Sequence, residues 1–180
     1  MDGQEFFKLL KELYDPELHS YLKDNHIDPN HELGNSQWTE LMGKVLEKIR
    51  VEADFDSGEC KKEVSVLTEK GRGRIDHKWE RSDQTVFIEH ENNPYSDPQP
   101  EIKNLLNSDG DLRILIVYSK ISSDNESIKG NVLQQLKKNI SNRKFEFLLV
   151  IGKGYVKSSD DWEAVSYRLA FKPFPLPPEL

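Results

Sequence analysis

Read as apolar and polar positions, the chain changes period along its length. Residues 4–14 place Phe6, Leu9, Leu10 and Leu13 at helical spacing, which predicts an amphipathic helix. Asp15-Pro16-Glu17 then reads as a cap, a first-turn proline and a favourable first-turn acid, so a second helix is expected through about Leu22. KDNHIDPNHELGN is a polar loop. Ser36 is the expected cap of a third helix, in which Trp38, Leu41, Met42, Val45, Leu46 and Ile49 form one apolar stripe.

From residue 62 the period becomes alternating. Val64 and Val66 alternate with polar residues, and EKGRGR supplies glycines for a turn. RIDHKW reads as a second strand, ERSDQ as a second turn and TVFIEHE as a third strand. Connections this short imply an antiparallel meander. After the loop NNPYSDPQP and a short helix, EIKNLLN, the run LRILIVYS has the continuous apolar character of a strand buried on both faces. A helix over 127–140 and a second buried strand, FEFLLVIG, follow. WEAVSYRLAFKPF reads as mostly strand, before a proline-rich tail, PFPLPPEL. The order predicts an α/β fold: an α-β-β-β-α-β core with a mixed central sheet flanked by helices, plus an N-terminal helical extension. We read 1–180 as one domain, with a helical part over 1–50, a sheet core over 51–151 and a C-terminal strand and tail over 152–180.

The composition, 36% hydrophobic and 32% charged, suits a soluble globular chain and not a disordered one. Cys60 is the only cysteine, which excludes an internal disulfide framework and a multi-cysteine zinc site and fits a reducing, cytoplasmic setting. The N-terminal segment mixes acids with its apolar residues, so neither a signal peptide nor a membrane span is expected there. The net charge of −7 argues against a protein held to nucleic acid by bulk positive charge. That charge divides as −4 over 1–50, −5 over 51–100 and +2 over 101–180. A basic surface would therefore draw on the C-terminal part and on local clusters.

The chemistry concentrates in GRGRIDHKWERSDQTVFIEHENN, where Asp76 precedes Glu89 and Glu91 at the end of an apolar strand. Carboxylates are poor strand residues and costly ones when buried. Residues two apart share a face, so Glu89 and Glu91 project together, and Ile88 and His90 project from the other side. Asp76, on the adjacent strand, is placed to lie beside the two glutamates. Three carboxylates so gathered repel one another unless a cation sits among them. A hard divalent ion, Mg²⁺ or Mn²⁺, suits such donors and would activate water at a phosphorus centre. The plainer reading is a set of solvated acids on an exposed sheet face. The apolar VFI before them and the acid on the neighbouring strand weigh toward a site.

This pattern resembles the PD-(D/E)XK nuclease superfamily, and within it a branch with GRiD followed by iIEnK. The matching stretches are Gly73-Arg74-Ile75-Asp76 and Val86-Phe87-Ile88-Glu89-His90-Glu91. PELHSYLKDNHIDPNHELG, with Leu18-His19-Ser20, is similar to the helix and loop before that branch's core, so the resemblance spans about residues 17–119. It implies a restriction-endonuclease-like fold and a Mg-dependent endonuclease or exonuclease hydrolysing phosphodiester bonds in DNA; RNA and a homodimer stay open. Carried over, Asp76 and Glu89 are metal ligands. Glu91 stands where the motif has its catalytic lysine, and Ile75 where it has its leading proline. Some type II restriction endonucleases of the superfamily use glutamate at the lysine position. Glu91 would then bind metal or act as general base, with Lys78 a candidate for supplying positive charge. Some members add a glutamate from the helix before the meander. Glu40 and Glu47 are the candidates there, nearly opposite the apolar stripe, and Glu17 is another. The missing lysine and the acidic balance favour an alternative, a catalytically inactive nuclease-fold module that binds nucleic acid or a protein partner. A third reading is an acidic partner protein, such as an inhibitor, that meets a basic surface.

Lys70, Arg72 and Arg74 form a basic turn tip suited to a nucleic-acid backbone, although KGRGR has too few glycines for a phosphate-cradling loop. Lys137, Lys138, Arg143 and Lys144 are cations near a helix C-terminus, where the dipole favours them regardless of function. His77 and His90 flank the acids, and alternation turns both to the face opposite Asp76, Glu89 and Glu91. Packed or hydrogen-bonded histidines are therefore expected rather than transition-metal ligands. Trp38, Trp79 and Trp162 are expected in the core rather than as stacking platforms.

Overall fold

The chain runs α1 (Gly3–Asp24), α2 (Asn35–Glu52), β1 (Cys60–Thr68), β2 (Gly71–Arg81), β3 (Gln84–His90), α3 (Gln99–Asn107), β4 (Leu112–Ser119), α4 (Asp124–Lys138), β5 (Phe145–Lys153) and β6 (Trp162–Leu169). This computed structural model describes residues 1–55, 60–68, 71–91, 98–119, 124–138, 144–153 and 156–169. Lys70, Arg143, most of the loop before α3 and the proline-rich tail lie outside the described residues, as does the side chain of Arg72.

The alternating stretch forms the expected meander, with β1, β2 and β3 antiparallel and the β2–β3 turn closed by Arg81 opposite Gln84. The two apolar runs become β4 and β5, parallel to β3 and to each other, and β6 adds antiparallel to β5. The result is one mixed six-stranded sheet in the order β1-β2-β3-β4-β5-β6. From α2 to β4 the order is the expected α-β-β-β-α-β, with α1 preceding it.

The strand order advances one way through both parallel crossovers. Right-handed crossovers then put their helices on one side. Accordingly the buried residues of α3 and α4 share a core with Ile75, Phe87, Leu115 and Phe147. Those of α1 and α2 pack on the other face against Trp79, Ile88, Ile114 and Leu148. Every residue of β4 is buried, as its apolar run predicts. Trp38, Trp79 and Trp162 are core residues.

α3 and α4 start two and three residues before the sequence reading, and the larger differences are at α1 and α2. α1 is one helix with Pro16 inside it, not two. A proline inside a helix costs about 3 kcal/mol, and the buried stripe Phe6, Leu10, Tyr14, Glu17 and Tyr21 runs unbroken past it. Packing of that stripe outweighs the local signal. Asp15, read as a cap, instead accepts from the Ser159 main-chain N–H at 2.6 Å and the Ser159 hydroxyl at 2.7 Å, and so fastens α1 to the turn before β6. α2 starts at Asn35 with Gly34 as its N-cap, so Ser36 lies inside the first turn. Gln37 does the capping, its Oε1 accepting from the Gly34 N–H at 2.9 Å. Among the described residues no helix is long and apolar enough to cross a membrane.

Candidate active site

β2 and β3 stay paired from Arg81–Gln84 to His77–Ile88, and the ladder ends there. Beyond that point β3 follows β4, with His90 beside Ile116 and the Glu91 N–H donating to the Ile116 carbonyl at 2.9 Å. β2 instead follows β1 as far as Gly71. The strands fork, and side chains replace ladder bonds in the fork. The Asp76 N–H donates to Glu89 Oε2 at 3.3 Å, and the His90 N–H donates to Asp76 Oδ2 at 2.9 Å. Both acids of the expected pair thus sit where two strands part.

The alternation of β2 slips at the same place. Trp79 packs in the α1/α2 core and Ile75 in the α3/α4 core, although residues four apart on a regular strand share a face. Across on β1, Glu63 lies between the pairs Lys62–His77 and Val64–Ile75 and has φ 54°. A glutamate in the left-handed region costs on the order of 1–3 kcal/mol, so the surrounding pairs must hold it there. Because of this slip Asp76 lines one pocket of about 550 Å³ with Glu63, His77, His90 and the α2 residues Thr39, Gly43 and Leu46. The sequence reading put His77 and His90 opposite Asp76; here they share a pocket with it.

Glu89 lies on the α3 side, where Asn104 Nδ2 donates to its Oε1 at 3.2 Å. It is 4% exposed. Burial, then the nearby Asp76 charge, pushes its carboxyl up to about 8; the Asn104 amide and the Asp76 N–H work against that, and Glu101 adds to it. Asp76 is also raised, first by burial and then by the charges of Glu91 and Glu63, against the pull of the His90 N–H. Both acids resist ionising, Glu89 in part because of the Asp76 charge, and a cation at the fork would reverse both shifts.

His90 has the hydrogen-bonded environment expected of it. Its Nε2 and the Tyr118 hydroxyl are 2.8 Å apart, with the rings edge to face at 5.6 Å. Burial, then His77, lowers its pKa to about 4, so the ring is neutral near pH 7. Gly152 makes room for Tyr118, since a Cβ there would lie 2.7 Å from Tyr118 Cδ1. Tyr118→Phe strips His90 Nε2 of this partner, which should lower stability by about 1–2 kcal/mol in urea denaturation at pH 7.5. An unchanged midpoint would mean that the bond contributes nothing.

The remaining expected residues fall elsewhere. Lys78 does not line the Asp76 pocket: its ammonium pairs with Glu80 at 2.7 Å and lies 5.7 Å from the Phe87 ring centroid. Glu17 is buried and paired with Lys48. Glu40 accepts from the Tyr21 hydroxyl at 3.0 Å, and Glu47 pairs with Arg50 at 2.6 Å. These three helix acids line a neighbouring pocket of about 530 Å³, which shares only Thr39 and Gly43 with the Asp76 pocket. Among the described residues α2 therefore lines the Asp76 pocket with Thr39, Gly43 and Leu46 and with no acid. Arg74 is exposed and pairs with Glu63 at 3.4 Å. Among the described residues no three of His, Cys, Asp and Glu gather as ligands of one ion. The fork brings Asp76 and Glu89 together, with Glu91 near enough to act on Asp76. Glu63, Glu101 and Asn104 join the fork without being among the residues the sequence pattern singles out. The last two stand three apart on α3, which is a signal, but nothing in the sequence says which strands α3 covers.

The class these observations define is a mixed α/β domain with a carboxylate pair at a strand fork, Glu89 buried and Asp76 half-buried. No family model and no curated protein matches the chain. Among solved structures it is similar to a crystal structure of a protein of unknown function, AF1548, at 19% identity and a TM-score of 0.31, covering 47% of this chain and 51% of that one. The chain thus spans about half the length of that protein.

Proposed function

We propose that this protein is a divalent-cation-dependent nuclease that hydrolyses phosphodiester bonds in DNA, with Asp76 and Glu89 as metal ligands. The observation that carries this reading is the pairing of two acids of raised pKa at the fork, one of them lining an open pocket. The donor set fits a hard ion, because every candidate ligand atom is a carboxylate oxygen and Mg²⁺ needs only one or two protein carboxylates beside water and substrate phosphate. Such an ion, when bound, supplies an activated water and neutralises charge at phosphorus. The chain's own groups do the rest. The His90 N–H holds Asp76 Oδ2, and Asn104 holds Glu89 Oε1. Glu91, at the motif's lysine position, would bind metal or accept a proton from water. Thr39 and Gly43 leave the α2 side of the pocket open to a substrate.

Incubating the protein with linear, nicked and single-stranded DNA in Mg²⁺ or Mn²⁺ tests this directly. Cleavage by wild type that falls at least about 100-fold in Asp76→Asn is expected, since ligand loss forfeits several kcal/mol of charge stabilisation. No cleavage of any substrate, or equal cleavage by the variant, sinks the assignment. The second reading, an inactive module that binds nucleic acid or a protein partner, has its own support: no lysine or arginine lines the Asp76 pocket among the described residues. It would show as a metal-independent gel shift, or a metal-independent protein complex, without product.

A further inference from the structure

α3 leans on the fork, and one of its residues ties both strands. Asn104 Nδ2 donates to the Arg74 main-chain carbonyl on β2 at 2.8 Å and to Glu89 Oε1 on β3 at 3.2 Å. An amide nitrogen carries two hydrogens, so both bonds can exist at once. Neither belongs to the helix or to the sheet ladder.

The consequence falls on Glu89. Its Oε2 receives the Asp76 N–H and its Oε1 receives the Asn104 amide, so the carboxylate is fixed at both oxygens by groups from two different elements. A carboxylate oxygen offers two lone pairs, so each oxygen keeps acceptor capacity for an ion or for water. A glutamate without these two contacts could turn about its last torsion, which is broad and roughly two-fold. The neighbours of Asn104 on α3 (Ile102, Leu105 and Leu106) are buried for packing, whereas Asn104 is half-buried with its amide spent on the fork.

We propose that Asn104 is the positioning residue of the candidate metal site. Its amide sets the orientation in which Glu89 presents oxygen to a divalent cation, while touching neither the cation nor the substrate. This rests on the reading of Asp76 and Glu89 as metal ligands. Residues that orient ligands from outside are typically worth 10–100-fold in metal affinity. Leucine is the informative replacement, since it fills similar space without a donor, whereas aspartate would add a further negative charge beside Glu89.

The test is a Mn²⁺ titration of the full chain, read by the electron paramagnetic resonance signal of free Mn²⁺, on wild type, Asn104→Leu, Asn104→Gln and Asp76→Asn. Wild type should bind, Asp76→Asn should lose binding, and Asn104→Leu should bind about 10–100-fold more weakly with its melting temperature within about 4 °C of wild type. Asn104→Gln, which restores the amide on a longer arm, should recover most of the affinity. Wild-type affinity in Asn104→Leu overturns the inference and leaves the metal site standing. A loss shared in full by Asn104→Gln makes Asn104 a packing contact and also overturns it. Absence of Asp76-dependent binding in wild type removes the metal site itself, and the same titration shows that case separately. Should Asn104→Leu not fold, Asn104→Ser, too short to span both bonds, is read by the same criteria.

Discussion

Glu89→Gln is expected to abolish metal-dependent cleavage, by at least about 100-fold, and to remove most of the pH dependence of stability in metal-free protein between pH 6.5 and 8. The sign follows from three groups. Glu89 moves from 4.5 to about 8 on folding, so its contribution is fully present below 4.5 and is lost as pH rises through 8. Asp76 is raised from 3.8 and acts in the same direction. His90 moves the other way, from 6.5 to about 4, so its contribution is present above 6.5 and lost as pH falls through 4. The carboxylates and the histidine oppose each other between 4.5 and 6.5, and Glu89 governs from 6.5 to 8. Over that upper window wild type in EDTA should lose about 1.5 kcal/mol in urea denaturation. Glu89→Gln should lose almost nothing, because a neutral amide has no proton to release. Saturating Mg²⁺ should offset the wild-type loss, since an ion that binds the folded, deprotonated site stabilises it. A wild-type slope that survives in Glu89→Gln would place the titrating group elsewhere.

The second large effect is on the fold that holds the site. Arg113, on β4, is 1% exposed. Its Nε donates to the Gly110 carbonyl at 3.2 Å and an Nη donates to the Leu106 carbonyl at 3.1 Å, while its guanidinium lies 3.7 Å from the Phe145 ring centroid. These are carbonyls at and just beyond the C-terminal end of α3, which have no helical donors of their own. Arg113→Met keeps the bulk and loses the donors and the ring contact, for an expected cost of about 3–4 kcal/mol. With a urea slope of about 2 kcal/mol/M the midpoint should fall by about 1.5–2 M. Arg113→Lys should recover little, since an ammonium cannot fork to two carbonyls as a guanidinium does. Because Asn104 stands on the helix that Arg113 pins, metal affinity should fall with it. A shift under about 0.5 kcal/mol would show that α3 is held by its apolar face alone.

The meander and the two buried strands could be read from the sequence because strand burial writes itself as alternation or as an unbroken apolar run. The acids of the fork were legible for the same reason, as charges at the end of such a run. Three things were not. Pro16 and Asp15 carry a strong local helix-start signal, yet a buried stripe that continues past them keeps α1 whole. Parity misplaces the face of Asp76 because it assumes a regular strand, and the regularity fails where Glu63 turns to positive φ and the β2–β3 ladder stops. Asn104 and Glu101 reach the fork only through the packing of α3 across β2 and β3. That depends on crossover handedness and strand order, which no local window contains.

The central claim is that the Asp76–Glu89 pair is a divalent-cation site, and titration calorimetry of Mg²⁺ at pH 7 measures it most directly. Run in buffers of different ionisation enthalpy, it should show saturable binding with release of about one proton, because Glu89, protonated in the metal-free protein, must ionise to bind. Glu89→Gln should show neither the binding nor the proton. Binding of equal strength in the variant, or none in wild type, would contradict the account.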